Sequence, residues 1–161
     1  MSIEERVKEL GLVLPEPFKS ATGKPFPFSQ VRVRGRRALL SGHLPLDPDG
    51  GVTLKGKVGA EVSAEQGYAA ARACGLAMLT SLRLELGSLD RIDAWLRVLG
   101  MVNVAPGFTA ISGVVNGFSE LLIEVFGPER GGHSRSAVGM AELPFGVPVE
   151  VEAEVELREE G

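Results

Sequence analysis

The sequence predicts an α+β protein in which two helices cover one face of a mixed β-sheet. Three observations predict this class: five segments have strand character, two long segments have helical spacing of apolar residues, and the two kinds of segment are interspersed along the chain. The predicted order, after a short N-terminal helix, is β-β-α-β-α-β-β. Because the chain has 161 residues, of which 44% are apolar, we expect residues 1–161 to form a single domain.

The first part of the chain predicts a short helix and then an extended connector. Ser2 and Glu5 have the spacing of a capping box, and apolar residues recur at helical intervals as far as Leu10. Four prolines interrupt the segment that follows, up to Phe28, and disfavour regular structure there. We therefore interpret residues 1–20 as an N-terminal extension that contains the helix and the start of the connector.

Caps, turns and periodicity define the remaining elements. A capping-box pair at Ser63 and Gln66 and a C-terminal Gly87 delimit the first long helix, and Gly127 with Pro128 ends the second. An almost uninterrupted apolar segment between these helices predicts a strand that is buried on both faces. The predicted strands are 31–34, 37–41, 92–104, 134–142 and 149–157, and the second long helix is predicted at 108–126.

The last two predicted strands are expected to pair as a hairpin. With a turn centred near Phe145, Arg135 would lie across from about residue 156, and Glu150 from about Ala141. This pairing separates Arg135 from Glu150 by about 20 Å at roughly 3.3 Å per residue. The two side chains could then serve one ligand only in a site that spans two chains.

Small residues line one face of the strand 134–142. Ala137, Gly139 and Ala141 share that face with Arg135. Small side chains on a strand often mark the close approach of another backbone or a ligand, which favours a self-association surface here. The alternative is a sheet face that simply lacks bulky residues.

Composition excludes several kinds of site and partner. The net charge of −4 gives no general attraction for nucleic acid, and a single cysteine excludes an intrachain disulfide and a cysteine-based metal cluster. Two histidines argue against a histidine-rich metal centre, and we expect no metal. No apolar segment reaches the roughly 18 residues of a membrane span, and the first residues lack the apolar core of a signal peptide. The expected location is the cytoplasm, with no membrane partner.

Three segments resemble the RidA/YjgF family of imine deaminases, whose members are also described as L-PSP endoribonucleases. The segments are SGHLPLDPDGG at 41–51, VNGFSELLIEVFG at 115–127 and RSAVGMAELPFGVPVEVEAEVE at 135–156. The resemblance covers residues 26–157. It implies a chorismate-mutase-like fold, a homotrimer with its sites in the clefts between subunits, and a reaction that needs no cofactor.

The resemblance also implies roles for individual residues. Arg135 corresponds to the arginine that clamps the substrate carboxylate, and Glu150 to the glutamate that positions or activates the attacking water. A guanidinium suits the first role because its planar fork binds a carboxylate with two hydrogen bonds and keeps its charge when desolvated. The substrate-binding positions implied less specifically are Phe28, Ser41, Gly42, His43, Asn116 and Ala137.

Three of these positions, and the nearby Gly139, differ from the family pattern. Phe28 replaces a frequent tyrosine, His43 a frequent glutamine, Ala137 a cysteine, and Gly139 a bulkier residue that is often acidic. A thiol-based step at position 137 is therefore impossible, and no hydroxyl is present at position 28. These differences indicate a divergent subgroup whose substrate differs from that of typical members.

Three functions are consistent with the sequence. The first is hydrolysis of small enamine or imine acids such as 2-aminoacrylate to 2-keto acids and ammonia. The second is a trimer that binds a small carboxylate without turnover. The third is an endoribonuclease that would use Arg32, Arg34, Arg36 and Arg37, but the acidic net charge and the 6% aromatic content argue against RNA binding.

Overall fold

The computed structural model describes residues 1–159, and these form a mixed five-stranded sheet with three helices. The elements are α1 (Ile3–Glu9), β1 (Val31–Arg34), β2 (Arg37–His43), α2 (Ala64–Leu86), β3 (Ile92–Asn103), α3 (Ile111–Arg130), β4 (Ser134–Met140) and β5 (Val149–Leu157). The predicted α+β class is confirmed. Residues 160 and 161, which the sequence assigned to the same domain, lie outside the described residues.

The order of the strands across the sheet is β1-β2-β5-β3-β4. β4 runs parallel to β3, and the other neighbours are antiparallel. Parallel neighbours need a crossover connection, which α3 supplies between β3 and β4. The predicted hairpin of the last two strands is therefore wrong, since β3 lies between β4 and β5.

In the observed strand register, Arg135 and Glu150 each have a neighbour other than the predicted one. Arg135 lies beside Val98 of β3, and Glu150 lies beside Met101 of the same strand. Val98 belongs to the core between the sheet and the helices, whereas Met101 belongs to a smaller apolar cluster with Leu44, Leu143 and Val147. Position along a hairpin therefore does not determine how far apart Arg135 and Glu150 lie.

The main core fills the space between the sheet and the two long helices. Its largest fully buried side chains include Trp95, Phe118, Met78, Leu79 and Leu82. The predicted small-residue face of β4 lies on this side and meets its own chain. Ala137 packs against the core, and a Cβ at Gly139 would lie 2.9 Å from a methyl of Val104. Ala137 and Gly139 thus make room for intrachain packing, whereas Gly139 and Ala141 are also exposed, so the self-association surface stays a prediction.

The second long helix starts and ends differently from its prediction. Phe108 closes a turn that contains Pro106 and Gly107, so that α3 begins at Ile111 rather than at Phe108. Gly127 has a φ of 79°, which interrupts the helical backbone where the sequence predicted an end, and one further turn follows. None of the helices among the described residues is long and apolar enough to span a bilayer.

The N-terminal helix joins the main core. Both predicted capping boxes are present, at Ser2 and at Ser63. Ile3 is buried, and its backbone N–H donates to Asp90 Oδ1 at 3.0 Å. The Leu89 N–H donates to Glu4 Oε1 at 3.1 Å, so that α1 is held to the segment just before β3.

Two glycines of α3 differ in their surroundings and give a first test of this packing. A Cβ at Gly117 would collide with the backbone carbonyl oxygen of Tyr68 in α2, whereas a Cβ at Gly113 would meet nothing within 4 Å. We expect Gly117→Ala to lower the free energy of unfolding by about 1–3 kcal/mol, because backbone atoms must move apart. The control Gly113→Ala should raise it by about 0.5–1 kcal/mol. Urea unfolding measures both, and equal effects would contradict the close contact of the helices.

Candidate functional site

The site residues predicted from the sequence lie in two separate groups. The first, here called the cavity group, lies where β2 ends and β5 begins, beside the connector, and consists of Phe28, Ser41, Gly42, His43 and Glu150. The second, the helix group, lies between α3 and β4 and consists of Asn116, Arg135 and Ala137. Side chains alternate between the faces of a strand, and Val151 belongs to the helix-side core, so Glu150 projects from the opposite face.

A cavity of about 280 Å³ lies beside the cavity group. Phe28, Gly42, His43 and Glu150 line it, and the hydroxyl of neighbouring Ser41 donates to the Ser29 carbonyl at 2.7 Å. The proline-rich connector forms one wall, and the turn between β4 and β5 forms another. The cavity is thus built from segments that are far apart in the sequence.

Glu150 is the carboxylate of this cavity. A Cβ at Gly42 would lie 2.6 Å from Glu150 Oε2, so glycine allows the carboxylate to lie against the β2 backbone. Within residues 1–159, this carboxylate has no hydrogen bond and no ion pair. Burial, with a smaller effect of the charge on Glu152, raises the pKa of Glu150. A half-buried carboxylate with a raised pKa is suited both to accepting a proton and to returning it.

His43 forms a fixed part of the cavity wall. Its Nδ1 lies 2.6 Å from the Ser41 carbonyl oxygen, and its Nε2 lies 2.8 Å from Ser81 Oγ on α2. Because a carbonyl oxygen only accepts, Nδ1 carries the proton, and Nε2 accepts from the Ser81 hydroxyl. Burial lowers the pKa of His43 and keeps the ring neutral. Both ring nitrogens therefore already have hydrogen-bond partners within the chain.

Arg135 is held in place by one face of α3. Its Nη1 donates to Asn116 Oδ1 at 2.8 Å and to Ser119 Oγ at 3.0 Å, and its Nη2 donates to the Ser112 carbonyl at 3.3 Å. In the described part of the chain, Arg135 makes no ion pair with a carboxylate. Burial lowers the pKa of Arg135, although a guanidinium stays charged at neutral pH. The result is an oriented cation with no counter-ion among residues 1–159.

Sequence reasoning missed Ser119, which connects Arg135 to His133. The Ser119 hydroxyl accepts from Arg135 and lies 2.9 Å from His133 Nε2, while His133 Nδ1 donates to the Gly131 carbonyl at 2.7 Å. The signal was its spacing, because residues three apart on a helix share a face and Asn116 was already a candidate. Ser119 therefore positions Arg135.

Three phenylalanines of the cavity were missed as well. Phe18, Phe26 and Phe145 line the cavity together with Phe28. A connector that carries Phe18, Phe26 and Phe28 among four prolines is more apolar than a solvated loop needs to be, and that composition was the available signal. Phe145 carried no comparable signal, because it lies in a short turn between Pro144 and Gly146.

The described residues contain no group of three or more histidine, cysteine, aspartate or glutamate side chains arranged to hold a metal ion. Ala137, the remaining predicted site residue, lies beside Gly100 of β3 and packs against the core. The two groups of site residues therefore supply one carboxylate and one guanidinium, on opposite faces of the same sheet.

Comparison with known proteins places this geometry in context. Residues 4–151 match the family described as "YjgF/chorismate mutase-like, putative endoribonuclease". A curated relative, protein TCP17 of Trypanosoma cruzi, is 40% identical over 155 residues, which cover 96% of this chain and 94% of that protein.

Solved structures share the fold. The protein Atu1372 from Agrobacterium tumefaciens, described as of unknown function, is 35% identical with a TM-score of 0.86, over 97% of this chain and 92% of that one. A structure from Shewanella oneidensis titled as a "putative endoribonuclease" is 29% identical with a TM-score of 0.89, over 98% and 100%. A RidA structure from an Antarctic Psychrobacter is 19% identical with a TM-score of 0.58, over 90% and 98%, and supports the fold alone.

Proposed function

Because the chain belongs to the YjgF/chorismate mutase-like family, we propose that it hydrolyses small enamine and imine acids to 2-keto acids and ammonia, in a site shared by two subunits of a homotrimer. Glu150 of one subunit and Arg135 of the partner subunit act on the same substrate. One observation carries this proposal: the sheet separates the carboxylate from the guanidinium within one chain, and each lacks a counter-ion among the described residues.

The reaction needs positioning and proton transfer. Arg135 binds the substrate carboxylate through its planar fork. Glu150 accepts a proton from water as the water oxygen bonds to the imine carbon, and it then returns a proton to the nitrogen. Glu150 then carries the hydroxyl proton of this tetrahedral intermediate to the nitrogen, the carbonyl forms as the carbon–nitrogen bond breaks, and ammonia and the 2-keto acid leave. An enamine substrate first gains a proton on its terminal carbon and loses one from its nitrogen to become the imine.

The raised pKa of Glu150 supports this role. A carboxylate that is half-buried in an apolar cavity holds its proton more tightly than one in water, which makes it both a base and an acid within the same cycle. The guanidinium of Arg135 is already oriented before a ligand binds, because three acceptors on α3 hold it in place. No cofactor enters the proposed steps.

Two features bear on the other functions. Phe28 brings no hydroxyl to the cavity, so any catalytic role of a hydroxyl at this position is absent. This absence favours the second candidate function, a trimer that binds a small carboxylate without turnover. Among the arginines considered for RNA binding, Arg36 pairs with Asp93 and Arg37 pairs with Glu154, so these charges are already compensated within the chain. This pairing argues against an endoribonuclease.

A mixing experiment tests whether the site is shared. Glu150→Gln and Arg135→Ala should each be inactive towards 2-aminoacrylate generated by a coupled dehydratase. Subunits of the two variants, exchanged in equal amounts, should recover about a quarter of the wild-type rate, because one in four junctions of a closed ring then combines both native side chains.

Three outcomes distinguish the hypotheses. Recovery on mixing supports the shared site, and a mixture as inactive as its components contradicts it. Wild-type protein that binds pyruvate but does not accelerate 2-aminoacrylate decay would favour the second candidate. Sedimentation of each variant confirms that it assembles as the wild type does, so that lost activity is not lost assembly.

A further inference from the structure

Phenylalanine rings dominate the wall of the cavity beside Glu150. Phe18 stacks on Phe26 with ring centroids 5.7 Å apart, and Phe26 stacks on Phe28 at 5.3 Å. Phe145 meets Phe18 edge to face at 5.7 Å. Four rings from the connector and the β4–β5 turn thus form one continuous surface, which we call the phenylalanine wall.

The arrangement of these rings suits an apolar ligand rather than a cation. A cage for a cation turns several ring faces towards one centre. In the phenylalanine wall, Phe18 and Phe26 are nearly parallel, at 7°, and Phe26 and Phe28 are inclined by 28°. Their faces therefore cover one another, and the row presents a broad apolar surface to the cavity.

The cavity is large for the smallest imine acids. Its volume of about 280 Å³ is near the lower end of the range typical of sites for drug-sized ligands. At roughly 30 Å³ for each water molecule, this space equals about nine waters, whereas 2-aminoacrylate has six non-hydrogen atoms. A three-carbon substrate would leave much of the phenylalanine wall in contact with water.

Polar side chains are few in the cavity, namely those of Gln30, His43, Ser81 and Glu150. Among the lining residues, only Glu150 and His43 are ionisable, and both nitrogens of His43 are engaged. A ligand in this cavity therefore meets its reactive partner at Glu150, and most of the remaining surface that it contacts is apolar. An imine carbon placed at Glu150 directs the substrate side chain along the phenylalanine wall.

We propose that the cavity selects 2-imino acids with a bulky apolar side chain, above all an aromatic one, over 2-aminoacrylate and other three-carbon imines. This inference rests on the proposed function, because it names the substrate class of the same site. The favourable free energy comes from removing two apolar surfaces from water, the substrate side chain and the phenylalanine wall.

A substrate series tests the preference with the full chain. An amino acid oxidase generates the imines of phenylalanine, alanine and arginine in the assay, and release of each 2-keto acid is measured above its spontaneous rate. We expect kcat/KM for the phenylalanine-derived imine to exceed that for the alanine-derived imine by at least about tenfold, the scale on which hydrophobic pockets discriminate. Calorimetry with phenylpyruvate and pyruvate measures binding independently of turnover.

A matched pair of variants assigns the preference to the wall. Phe28 is 54% exposed, and Leu84 on α2 is 65% exposed, so that either can be replaced with little loss of core packing. Phe28→Ser should reduce the ratio of the two kcat/KM values severalfold, and Leu84→Ser should leave it unchanged. A ratio that Phe28→Ser does not alter would overturn the assignment.

The outcomes separate this inference from the proposed function. Equal or faster turnover of the alanine-derived imine, or a preference for the arginine-derived imine, overturns the inference and leaves the deaminase proposal standing. Failure to accelerate any imine overturns the deaminase proposal. In that case, tighter binding of phenylpyruvate than of pyruvate still supports the apolar ligand class, and equal or no binding overturns it.

Discussion

Replacement of Glu150 by glutamine is expected to lower kcat by about a hundredfold or more while the midpoint of thermal unfolding stays the same or rises. The loss is expected because the amide can neither accept a proton from water nor return one, a contribution of about 10²–10⁴-fold in enzymes. The stability is kept because glutamine removes a half-buried charge that has no partner among the described residues. Steady-state kinetics and thermal melts of the same preparation measure both effects.

The pH dependence of the same variant has a defined sign. Burial raises the pKa of Glu150 above its ordinary value of 4.5, so the folded chain holds this proton more tightly than the unfolded chain. Its contribution to stability is therefore fully present below pH 4.5 and is lost as the pH rises through the folded-state pKa. Glu150→Gln should lack this loss, so its stability advantage over wild type should be larger at neutral than at acidic pH.

Glu152 provides the control on the same face of β5. It is exposed, and its charge raises the pKa of Glu150. Glu152→Gln should therefore keep kcat and move the acid limb of the activity profile to lower pH. Equal loss of activity in the Glu150 and Glu152 variants would contradict a specific role for Glu150.

Replacement of Arg135 by lysine is expected to raise KM by about a hundredfold, although the positive charge is retained. Lysine lacks the planar fork that binds both oxygens of a carboxylate, and loss of such a charge pair typically costs about 2–5 kcal/mol. Lysine also cannot reproduce the three hydrogen bonds that hold the guanidinium against Asn116, Ser119 and the Ser112 carbonyl. Initial-rate kinetics over a wide substrate range separate KM from kcat.

Arg72 is a suitable control for Arg135. It bridges the two long helices by pairing with Glu124 at 2.8 Å, and it does not belong to either group of site residues. Arg72→Lys should leave KM unchanged, since a point charge retains much of a partly exposed ion pair. An unchanged KM in Arg135→Lys would mean that Arg135 does not bind the substrate carboxylate.

The sequence predicted the elements well and their pairing poorly, for a physical reason. Capping boxes, glycine ends and apolar periodicity act within a few residues, so Ser2, Ser63 and Gly87 could be interpreted locally. The neighbour of β4 is decided by the crossover through α3 and by core packing, which no local pattern contains. The alternation of valine and glutamate in β5 is the same whichever strand lies beside it.

The candidate site was anticipated in part. The sequence indicated that Arg135 and Glu150 could meet only across two chains, but it attributed their separation to distance along a hairpin. In the fold, the sheet itself lies between them, because Arg135 faces α3 and Glu150 projects from the other face. Phe145 reaches its place only through tertiary structure, whereas Ser119 shares a helix face with Asn116 and could have been identified from that spacing.

The position of β5 in the sheet has a consequence for how the chain acquires its structure. β5 lies between β2 and β3 and pairs with both, so that Arg37 finds its neighbour at Glu156. During synthesis, the β1–β2 ribbon and the β3–α3–β4 unit therefore share no strand pairing until residues 149–157 emerge from the ribosome. Until then, β2 and β3 each have an unpaired edge. Such non-local pairing slows folding, and the open edges are sites for aggregation during synthesis.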